Sequence, residues 1–460
     1  MAQTGSEKLG LKELIAMGVG GMVGGGIFSV LGLSVGMAGH AAPIAFALGG
    51  FIALLTGYSY SKLGLAFRSD GGSFTYMEKS VKNQNIAAIG GWMLLVGYIG
   101  TMALYAYTFG VYGAAMPNLT PEQTRAFHHF LESFILLLFL GINLYGIRAA
   151  GETEVLIVLT KVIILALFTG IGIFFVRPEN MLPVFNKSAT SILMGAALIF
   201  VAYEGFELIP NAVNEMKHPT RDLPRSMIIS IIVTLTIYIL VAIVAVGNLT
   251  PEEIARAKEY ALAEAARPFL GQAGFTLIGL GALLSTASAI NATLFGTARL
   301  AMVMAQEKDL PRIFSFRERT KDIPWVSLVV LTAITLIFVN VADLSLISSF
   351  ASSTFLLIFV FINYSALRLY REIHGKLIWP LLGMVFSLLS WVILIVYLAQ
   401  KDRAGLYWIG GFYLAIIIAE IMFSERRFIY IFREKPAWKK RLEAHEHRKR
   451  KNSNSSKSKG

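Results

Sequence analysis

The sequence contains no cysteine and comparatively little charge. Among its 460 residues there is no thiol, which excludes disulfide bonds and cysteine chemistry. Only 15% of the residues are Asp, Glu, Lys or Arg, whereas 55% are hydrophobic. A soluble protein of this length exposes far more charge. The composition therefore predicts a membrane protein with many apolar segments.

Motifs for metal and phosphate binding are also missing. The glycine-rich stretch near the start lacks the G-x-G-x-x-G spacing and follows no strand, and no Walker phosphate loop occurs. We therefore predict neither an enzyme nor a resident metal or cofactor. Histidines fall only at the ends of apolar segments, in loops or in the tail, at His40, His128, His129, His218, His374, His445 and His447.

Long apolar runs dominate what is present. A run of about 20 apolar residues is long enough to cross the roughly 30 Å hydrocarbon core of a bilayer as a helix. The sequence predicts an all-α membrane protein with twelve transmembrane helices. The predicted spans are residues 13–38, 41–66, 86–115, 127–146, 154–176, 188–213, 226–247, 269–304, 325–341, 347–367, 377–399 and 406–425.

The net charge of +12 is unevenly distributed about these spans. On the side of the two termini lie 32 of the 41 Lys and Arg residues, 8 lie on the opposite side, and Lys161 lies within a span. By the positive-inside rule, both termini are expected to be cytoplasmic in a cell-membrane protein. The basic tail 426–460 then faces the lipid surface, and no nucleic-acid partner is predicted. The oligomeric state stays open.

The first predicted span contains six glycines between Gly18 and Ser29. Each glycine in a helix interior costs roughly 1 kcal/mol relative to alanine. We therefore expect a helix broken at mid-membrane depth. Unpaired backbone groups at that depth occur where they line a cavity or bind a ligand, as in secondary transporters. The alternative interpretation is close helix packing through G-x-x-x-G spacings.

The sixth predicted span is the second interrupted crossing, at 200–207 followed by Pro210. Interrupted helices five spans apart are typical of two inverted repeats. We therefore predict the following organisation: cytoplasmic tail 1–12, first repeat 13–176, second repeat 188–370, two further helices 377–425 and the basic tail 426–460.

The opposed ends of two broken helices suit an amino acid zwitterion. Amide groups near Gly24 to Gly26 would bind the carboxylate, and carbonyls near Val19 to Gly21 and near Ala202 would bind the ammonium group. The predicted substrate-binding residues are Val23, Gly24, Gly25, Gly26, Ile27, Ala202, Tyr203, Glu204, Gly205 and Phe206.

Three side chains of the sixth span have two interpretations each. Phe206 would act as an aromatic gate over the substrate, or would simply pack among apolar neighbours. Glu204 and Glu207 are costly at membrane depth and must be paired, hydrated or protonated. Either carboxylate would then select cationic side chains or carry protons, or would accept hydrogen bonds from freed amides.

Lys161 is the only Lys or Arg deep inside a predicted span, about 10 Å from its cytoplasmic end. Burial disfavours the charged ammonium, so this lysine would gain and lose a proton and replace a bound sodium ion. The alternative is a snorkelling side chain. The predicted proton-coupling site is Lys161 with Gly20, Gly21, Ser285 and Ser288, although the two serines would equally serve as interhelical hydrogen-bond partners.

Thr250-Pro-Glu-Glu253 has the sequence of a capping box and predicts a polar helix up to about Arg267 on the outer side. Thr120-Pro-Glu-Gln123 predicts a similar start to the fourth span. The outer helix is expected to be either a solvated surface helix or a lid over the entry path.

Residues 10–425 resemble the amino acid–polyamine–organocation superfamily. This resemblance implies a fold like that of the sodium-coupled leucine transporter, with two inverted five-helix repeats plus two helices. It also implies the branch of proton-coupled, broad-specificity amino acid transporters, in which a lysine matching Lys161 replaces sodium. Glu204 departs from the pattern, because many relatives have an uncharged residue there. The resemblance rests on Gly24–Ser29, Ala202–Glu207, Glu215 with Pro219–Arg225, Ser285–Gly296 and Met304–Pro311.

These expectations together predict an amino acid:proton symporter that works by alternating access, with spans one, two, six and seven rocking against the rest. An exchanger for amino acids or polyamines is the alternative within transport. A membrane amino acid sensor that does not transport is the alternative from another class.

Overall fold

The computed structural model describes residues 8–69, 71–81, 83–117, 119–146, 151–318 and 323–433. The predicted tails therefore fall largely outside it, at residues 1–7 and 434–460. The described residues are helical apart from turns, loops and one isolated bridge between Leu9 and Met216. The all-helical prediction is confirmed for this part of the chain.

Fifteen α-helices are present in the described ranges. They are α1 (Leu11–Met22), α2 (Gly26–Ala38), α3 (Ala42–Ala66), α4 (Gly72–Ser80), α5 (Gln84–Ala115), α6 (Pro121–Tyr145), α7 (Gly151–Gly172), α8 (Ala189–Leu198), α9 (Pro219–Asn248), α10 (Pro251–Ala257), α11 (Ala261–Gln306), α12 (Trp325–Val341), α13 (Leu344–Arg368), α14 (Ile378–Lys401) and α15 (Arg403–Arg433).

Nine helical segments of the described chain are long and apolar enough to cross a membrane, or ten if the bent pair formed by α8 and the segment after it is counted as one. The predicted total of twelve stays a prediction. Three features explain the difference. The break in the first predicted span leaves α1 with 12 residues, and α12 has only 17. In addition, α2 continues into α3 through the short 3₁₀ turn Gly39–Ala41.

The helices form an inner group with apolar helices around it. In their most apolar stretches, 78% of the residues of α5 and 72% of those of α13 are buried, compared with 22% in α6, α14 and residues 403–422 of α15. The pairs α3 with α9, α5 with α11 and α13 with α14 make the most extensive contacts. Exposed Leu, Ile, Val and Phe side chains on the outer helices suit contact with lipid tails. The inner helices therefore carry the polar groups considered below.

The interruption expected at the glycine run is present. Helix α1 ends at Met22 and α2 begins at Gly26, so Val23 to Gly25 lie between the two helices, and Val23 has non-helical dihedral angles. The end of α1 lies directly against the sixth predicted span, because a Cβ atom on Gly21 would lie 2.8 Å from the Gly205 carbonyl oxygen. Glycine at both positions therefore permits backbone-to-backbone contact between the two crossings.

The sixth predicted span is interrupted differently from the expectation. Helix α8 ends at Leu198, and after Ile199 the chain continues as a 16-residue 3₁₀ helix, Phe200–Glu215, bent by 42° from α8. The break thus precedes residues 200–207 rather than lying within them. Runs of 3₁₀ helix longer than a few residues are uncommon and often mark a functional hinge or strain. Pro210, which lacks an N–H donor, lies inside this 3₁₀ helix.

The segment after α9 begins as the predicted helix, but the helix ends earlier than predicted. The Thr250 hydroxyl accepts from the Glu253 amide at 3.3 Å, and a Glu253 carboxylate oxygen accepts from the Thr250 amide at 2.8 Å, as the capping box predicted. However, α10 ends at Ala257, and a 3₁₀ turn separates it from α11. The predicted single helix to Arg267 is therefore wrong. Its last part belongs to α11, which is kinked at Gly271 with φ of 59°.

Candidate functional site

The start of α2 presents buried amide groups. Gly25, Gly26, Ile27 and Phe28, which contribute the first amides of this helix, are all buried. The first amides of any helix lack an intrahelical partner, and buried ones need another acceptor. The end of a helix with free amides also carries a partial positive charge. An anionic group such as a carboxylate fits this position.

The carbonyl groups around the break are bound by side chains from three other helices. The Lys161 amine of α7 donates to the Gly20 carbonyl at 2.7 Å. The Tyr238 hydroxyl of α9 lies 2.6 Å from the Met22 carbonyl. The Ser285 hydroxyl of α11 donates to the Val23 carbonyl at 2.6 Å. The carbonyl side of the break is therefore satisfied by side chains from neighbouring helices.

Lys161 lies where the sequence placed it, inside the membrane-spanning part of the molecule. Its side chain is fully buried, so it does not snorkel. Its amine contacts the carbonyl of Gly20, one of the predicted coupling residues, while the neighbouring Gly21 carbonyl lies 3.4 Å from the Tyr105 hydroxyl. A buried amine thus lies against the partial negative end of α1.

The two predicted serine partners behave differently. Ser285 is buried and reaches the carbonyls of Val23 and Gly24, at 2.6 and 3.2 Å. Ser288 is half-buried and has no hydrogen bond with any residue that the structure describes. Neither serine is hydrogen-bonded to Lys161 within that part of the chain. Ser285 therefore supports the broken backbone rather than the amine directly.

The glycines also serve close packing, as the alternative interpretation proposed. A Cβ atom on Gly20 would meet Val158 at 2.6 Å, and one on Gly24 would meet the Tyr105 ring at 2.9 Å. A Cβ atom on Gly26 would lie 2.7 Å from the Ala202 Cα atom. The same glycines thus break the helix and let neighbouring elements approach it.

The two carboxylates of the sixth predicted span are buried, at 3% exposure for Glu204 and 1% for Glu207. Glu207 accepts a 2.9 Å hydrogen bond from the Tyr60 hydroxyl, which also lies 2.8 Å from the Ser73 hydroxyl. Glu204 contacts the side chain of Thr101. One oxygen of each carboxylate, Oε2 of Glu204 and Oε1 of Glu207, has no partner among the described residues.

Phe206 lies in an aromatic cluster rather than over a cavity. Its ring centroid lies 5.7 Å from that of Tyr60 and 5.3 Å from that of Phe359. The side chain is fully buried, and so is that of Tyr203, whose hydroxyl donates to the Phe46 carbonyl at 2.8 Å. In this conformation Phe206 packs among rings, and its role as a gate stays a prediction.

Sequence reasoning missed the tyrosines that surround the break. The Tyr238 hydroxyl bridges the two crossings, because it reaches the Ala202 carbonyl at 3.0 Å as well as that of Met22. Tyr98 and Tyr105 of α5 also lie near this region, and the Tyr105 hydroxyl is 3.4 Å from the Gly21 carbonyl. A tyrosine in the middle of an apolar span needs a partner for its hydroxyl, and this requirement was the available signal.

A cavity of about 450 Å³ lies near the C-terminal end of α5 and the N-terminal end of α6. Residues at the start of α11 and in the preceding 3₁₀ turn line one side of it, including Glu259, Tyr260, Glu264 and Arg267. The segment predicted as a surface helix or lid thus forms one wall of an outer cavity. The predicted substrate residues lie elsewhere, in the buried interior.

The profile of a family described as amino acid permease matches residues 9–419. The chain belongs to this amino acid permease family. The permease is thus a multi-pass membrane transporter rather than an enzyme, and its resemblance to the amino acid–polyamine–organocation superfamily is confirmed.

Several relatives align with nearly the whole permease. An uncharacterized protein of Methanocaldococcus jannaschii is 33% identical over 421 residues, which cover 91% of this chain and 96% of that protein. The inner membrane transport protein YbaT of Escherichia coli is 31% identical, with 91% and 97% covered. The serine/threonine exchanger SteT of Bacillus subtilis is 25% identical, with 80% and 85% covered.

A solved structure has a similar fold. A mutant of the manganese transporter of Eremococcus coleocola matches with a TM-score of 0.58 at 13% identity, covering 94% of the permease and 97% of that chain. At this identity the likeness concerns the fold alone. The permease therefore has a transporter-like helical fold.

Proposed function

We propose that this permease is a secondary active amino acid transporter that couples uptake to protons by alternating access. The observation that carries the proposal is the Lys161 amine, buried and 2.7 Å from the Gly20 carbonyl at the end of α1. An amine in this position supplies a cation that deprotonation removes. Lys161, Gly20, Gly21 and Ser285 would form the coupling site, with Ser288 beside them.

The substrate would be an amino acid bound between the two interrupted crossings. Its carboxylate would accept from the free amides at the start of α2, and its ammonium group would lie against the backbone around Ala202 and Tyr203. The remaining predicted substrate residues, Val23, Glu204, Gly205 and Phe206, would surround it. The description of the family as amino acid permease and the name of one relative, a serine/threonine exchanger, support an amino acid cargo.

We place the transporter in the cell membrane with both termini cytoplasmic and twelve transmembrane helices. Residues 13–176 and 188–370 would form two inverted repeats, followed by two helices in 377–425 and the basic tail 426–460. Breaks in the first and sixth predicted spans support this organisation. The concentration of Lys and Arg on one side supports the orientation.

The test is uptake of radiolabelled amino acids into proteoliposomes that contain the purified permease and an imposed pH gradient. We expect accumulation with an acidic exterior and little without a gradient. Lys161→Ala should accumulate substrate no faster with the gradient than without it, because no titrating amine remains at the break. Lys376→Ala, at an exposed lysine, is the matched control and should keep the dependence on the gradient.

Two results would contradict proton coupling. One is wild-type uptake that ignores the gradient, and the other is unchanged gradient dependence in Lys161→Ala. Lys161→Met, which keeps the volume of the side chain, provides a second variant if the alanine variant is unstable. Substrate binding measured on the same preparations shows whether each variant still folds.

Exchange is the second candidate, and the name of the relative SteT favours it. An exchanger would take up labelled substrate only into vesicles preloaded with unlabelled amino acid. A symporter would also accumulate it in empty vesicles. A non-transporting sensor would bind amino acids without accumulation in either case.

A further inference from the structure

The side chain of Glu204 lies next to the proposed substrate site without a cationic partner. It is 3% exposed, and its Oε2 atom has no hydrogen-bond partner in the part of the chain that the structure describes. The ion pairs there involve other acidic residues, and Lys161 binds the Gly20 carbonyl instead. Burying a carboxylate with an unpaired oxygen costs free energy, and such residues within membrane-spanning segments commonly have a functional role.

Polar and aromatic side chains surround this carboxylate. Thr101, whose hydroxyl donates to the Gly97 carbonyl, lies beside it, and Tyr98, Tyr105 and Tyr238 are near enough to interact with it electrostatically. Aromatic faces attract cations, most strongly where water is excluded. A carboxylate among tyrosines is therefore a suitable environment for an ammonium or guanidinium group.

The same residues connect Glu204 to the free amides of α2. The Tyr105 ring contacts the space above Gly24 and Gly25, and Gly26 lies against Ala202, two residues before Glu204. At about 2 Å rise per residue in a 3₁₀ helix, two residues correspond to roughly 4 Å along the axis. An amino acid with its carboxylate at α2 would therefore extend its side chain toward Glu204.

We propose that Glu204 is a specificity-determining residue that binds the cationic side-chain group of a basic amino acid. The inference rests on the proposed function, because it assumes that the α-carboxylate binds at α2. The substrate brings the positive charge that the pocket lacks, so the carboxylate is neutralised only in the loaded state. Neutral amino acids leave Glu204 unpaired and bind less well.

The test is a competition panel in proteoliposomes with wild type, in which arginine, lysine, glutamine, leucine and alanine compete for labelled arginine and labelled leucine uptake. We expect arginine and lysine to inhibit at concentrations at least tenfold lower than the neutral amino acids. Glu204→Gln, which keeps the shape but removes the charge, should weaken inhibition by the cationic amino acids at least tenfold and leave the neutral ones within about threefold. Glu420→Gln, at a buried carboxylate of α15 that receives a hydrogen bond from Trp92, is the matched control and should keep the wild-type order.

Several outcomes would overturn the inference. Preference for glutamine would indicate a protonated Glu204 that donates to a neutral amide, and preference for leucine or alanine would indicate an apolar subsite. Either result leaves amino acid transport itself intact. Absence of accumulation for every amino acid, with or without preloading, would instead refute the proposed function and this inference together. The wild-type panel decides these cases even if Glu204→Gln does not fold.

Discussion

The two interrupted crossings are built by different means. In the first, three residues separate α1 from α2, and the first turn of α2 is buried. In the second, the backbone continues as the 3₁₀ helix Phe200–Glu215 after a 42° bend. Under the proposed function, the first crossing would offer main-chain groups to the substrate, whereas the second would offer mainly side chains.

The 3₁₀ winding has a direct consequence for those side chains. Residues i and i+3 of a 3₁₀ helix lie one above the other, so Glu204 and Glu207 share one face. Both face side chains of α5, namely Thr101 for Glu204 and Tyr98 for Glu207.

Different side chains support the backbone at each of the two breaks. Ser348 and Ser352 of α13 both donate to the Leu198 carbonyl, at 2.9 and 2.7 Å, whereas the first break is bound by Lys161 and its neighbours.

The largest effect is expected where the two crossings touch. In Gly205→Ala, the new Cβ atom would overlap the backbone of Gly21 and Met22, which cannot move aside as a flexible side chain would. Overpacking of this kind costs about 1–3 kcal/mol or more. We expect uptake to fall more than tenfold and the thermal midpoint in detergent to drop. Gly36→Ala in α2, where a Cβ atom would meet nothing within 4 Å, should keep both values close to wild type.

The next effect concerns the hydroxyl that joins the crossings. Tyr238→Phe leaves the buried carbonyls of Met22 and Ala202 without this donor, at a cost of about 1–3 kcal/mol. Uptake should fall roughly tenfold. Tyr112→Phe removes a hydroxyl that donates to Phe28 of α2 alone, at 2.7 Å, and should cost much less transport. Equal losses in the two variants would argue against a bridging role for Tyr238.

Ser285→Ala tests the carbonyl side of the first break alone. The variant loses the 2.6 Å bond to the Val23 carbonyl, which is worth about 1 kcal/mol. We expect uptake several-fold lower than in wild type. Ser288→Ala, three residues away on the same helix, has no hydrogen bond to lose among the described residues and should transport normally. A loss of uptake in Ser288→Ala as large as that in Ser285→Ala would support the prediction that both serines belong to the coupling site.

The smallest effect is expected at the inner ends of the crossings. The Leu9 amide donates to the Glu215 carbonyl at 2.8 Å and thereby ties the chain before α1 to the end of the 3₁₀ helix. Leu9→Pro removes this donor, whereas Leu9→Ala keeps it. One such bond is worth about 1 kcal/mol. This free energy corresponds to about a fivefold change in the equilibrium between the closed conformation and one in which this end of the two crossings is open.

The absence of native cysteine makes that change measurable. A single cysteine at Thr297, which lines a small inner cavity with Ser73 and Asn211, should react with a thiol reagent up to about fivefold faster in Leu9→Pro than in Leu9→Ala. The same labelling rate in both variants would show that this tie does not restrain opening.

Sequence patterns predicted the features that depend on neighbouring residues alone, namely the helix break and the helix caps. The glycine run predicted the break before Gly26, and the capping boxes at Thr120 and Thr250 are confirmed. The predicted position of the second break was wrong, because the hydrogen bonds at that break come from residues distant in the sequence. Leu198 and Val201 are held by Ser352, which lies about 150 residues further along the chain.

The sequence alone determined that this chain is a helical membrane transporter, because apolar run length, charge placement and glycine content act locally. Only the tertiary structure decided which buried polar groups meet. Lys161 could have faced several helices, and it contacts Gly20 because Val158, three residues before it on α7, fills the space that Gly20 leaves open. Contacts of this kind depend on how helices pack against one another, and a single helix does not encode that arrangement by its own periodicity.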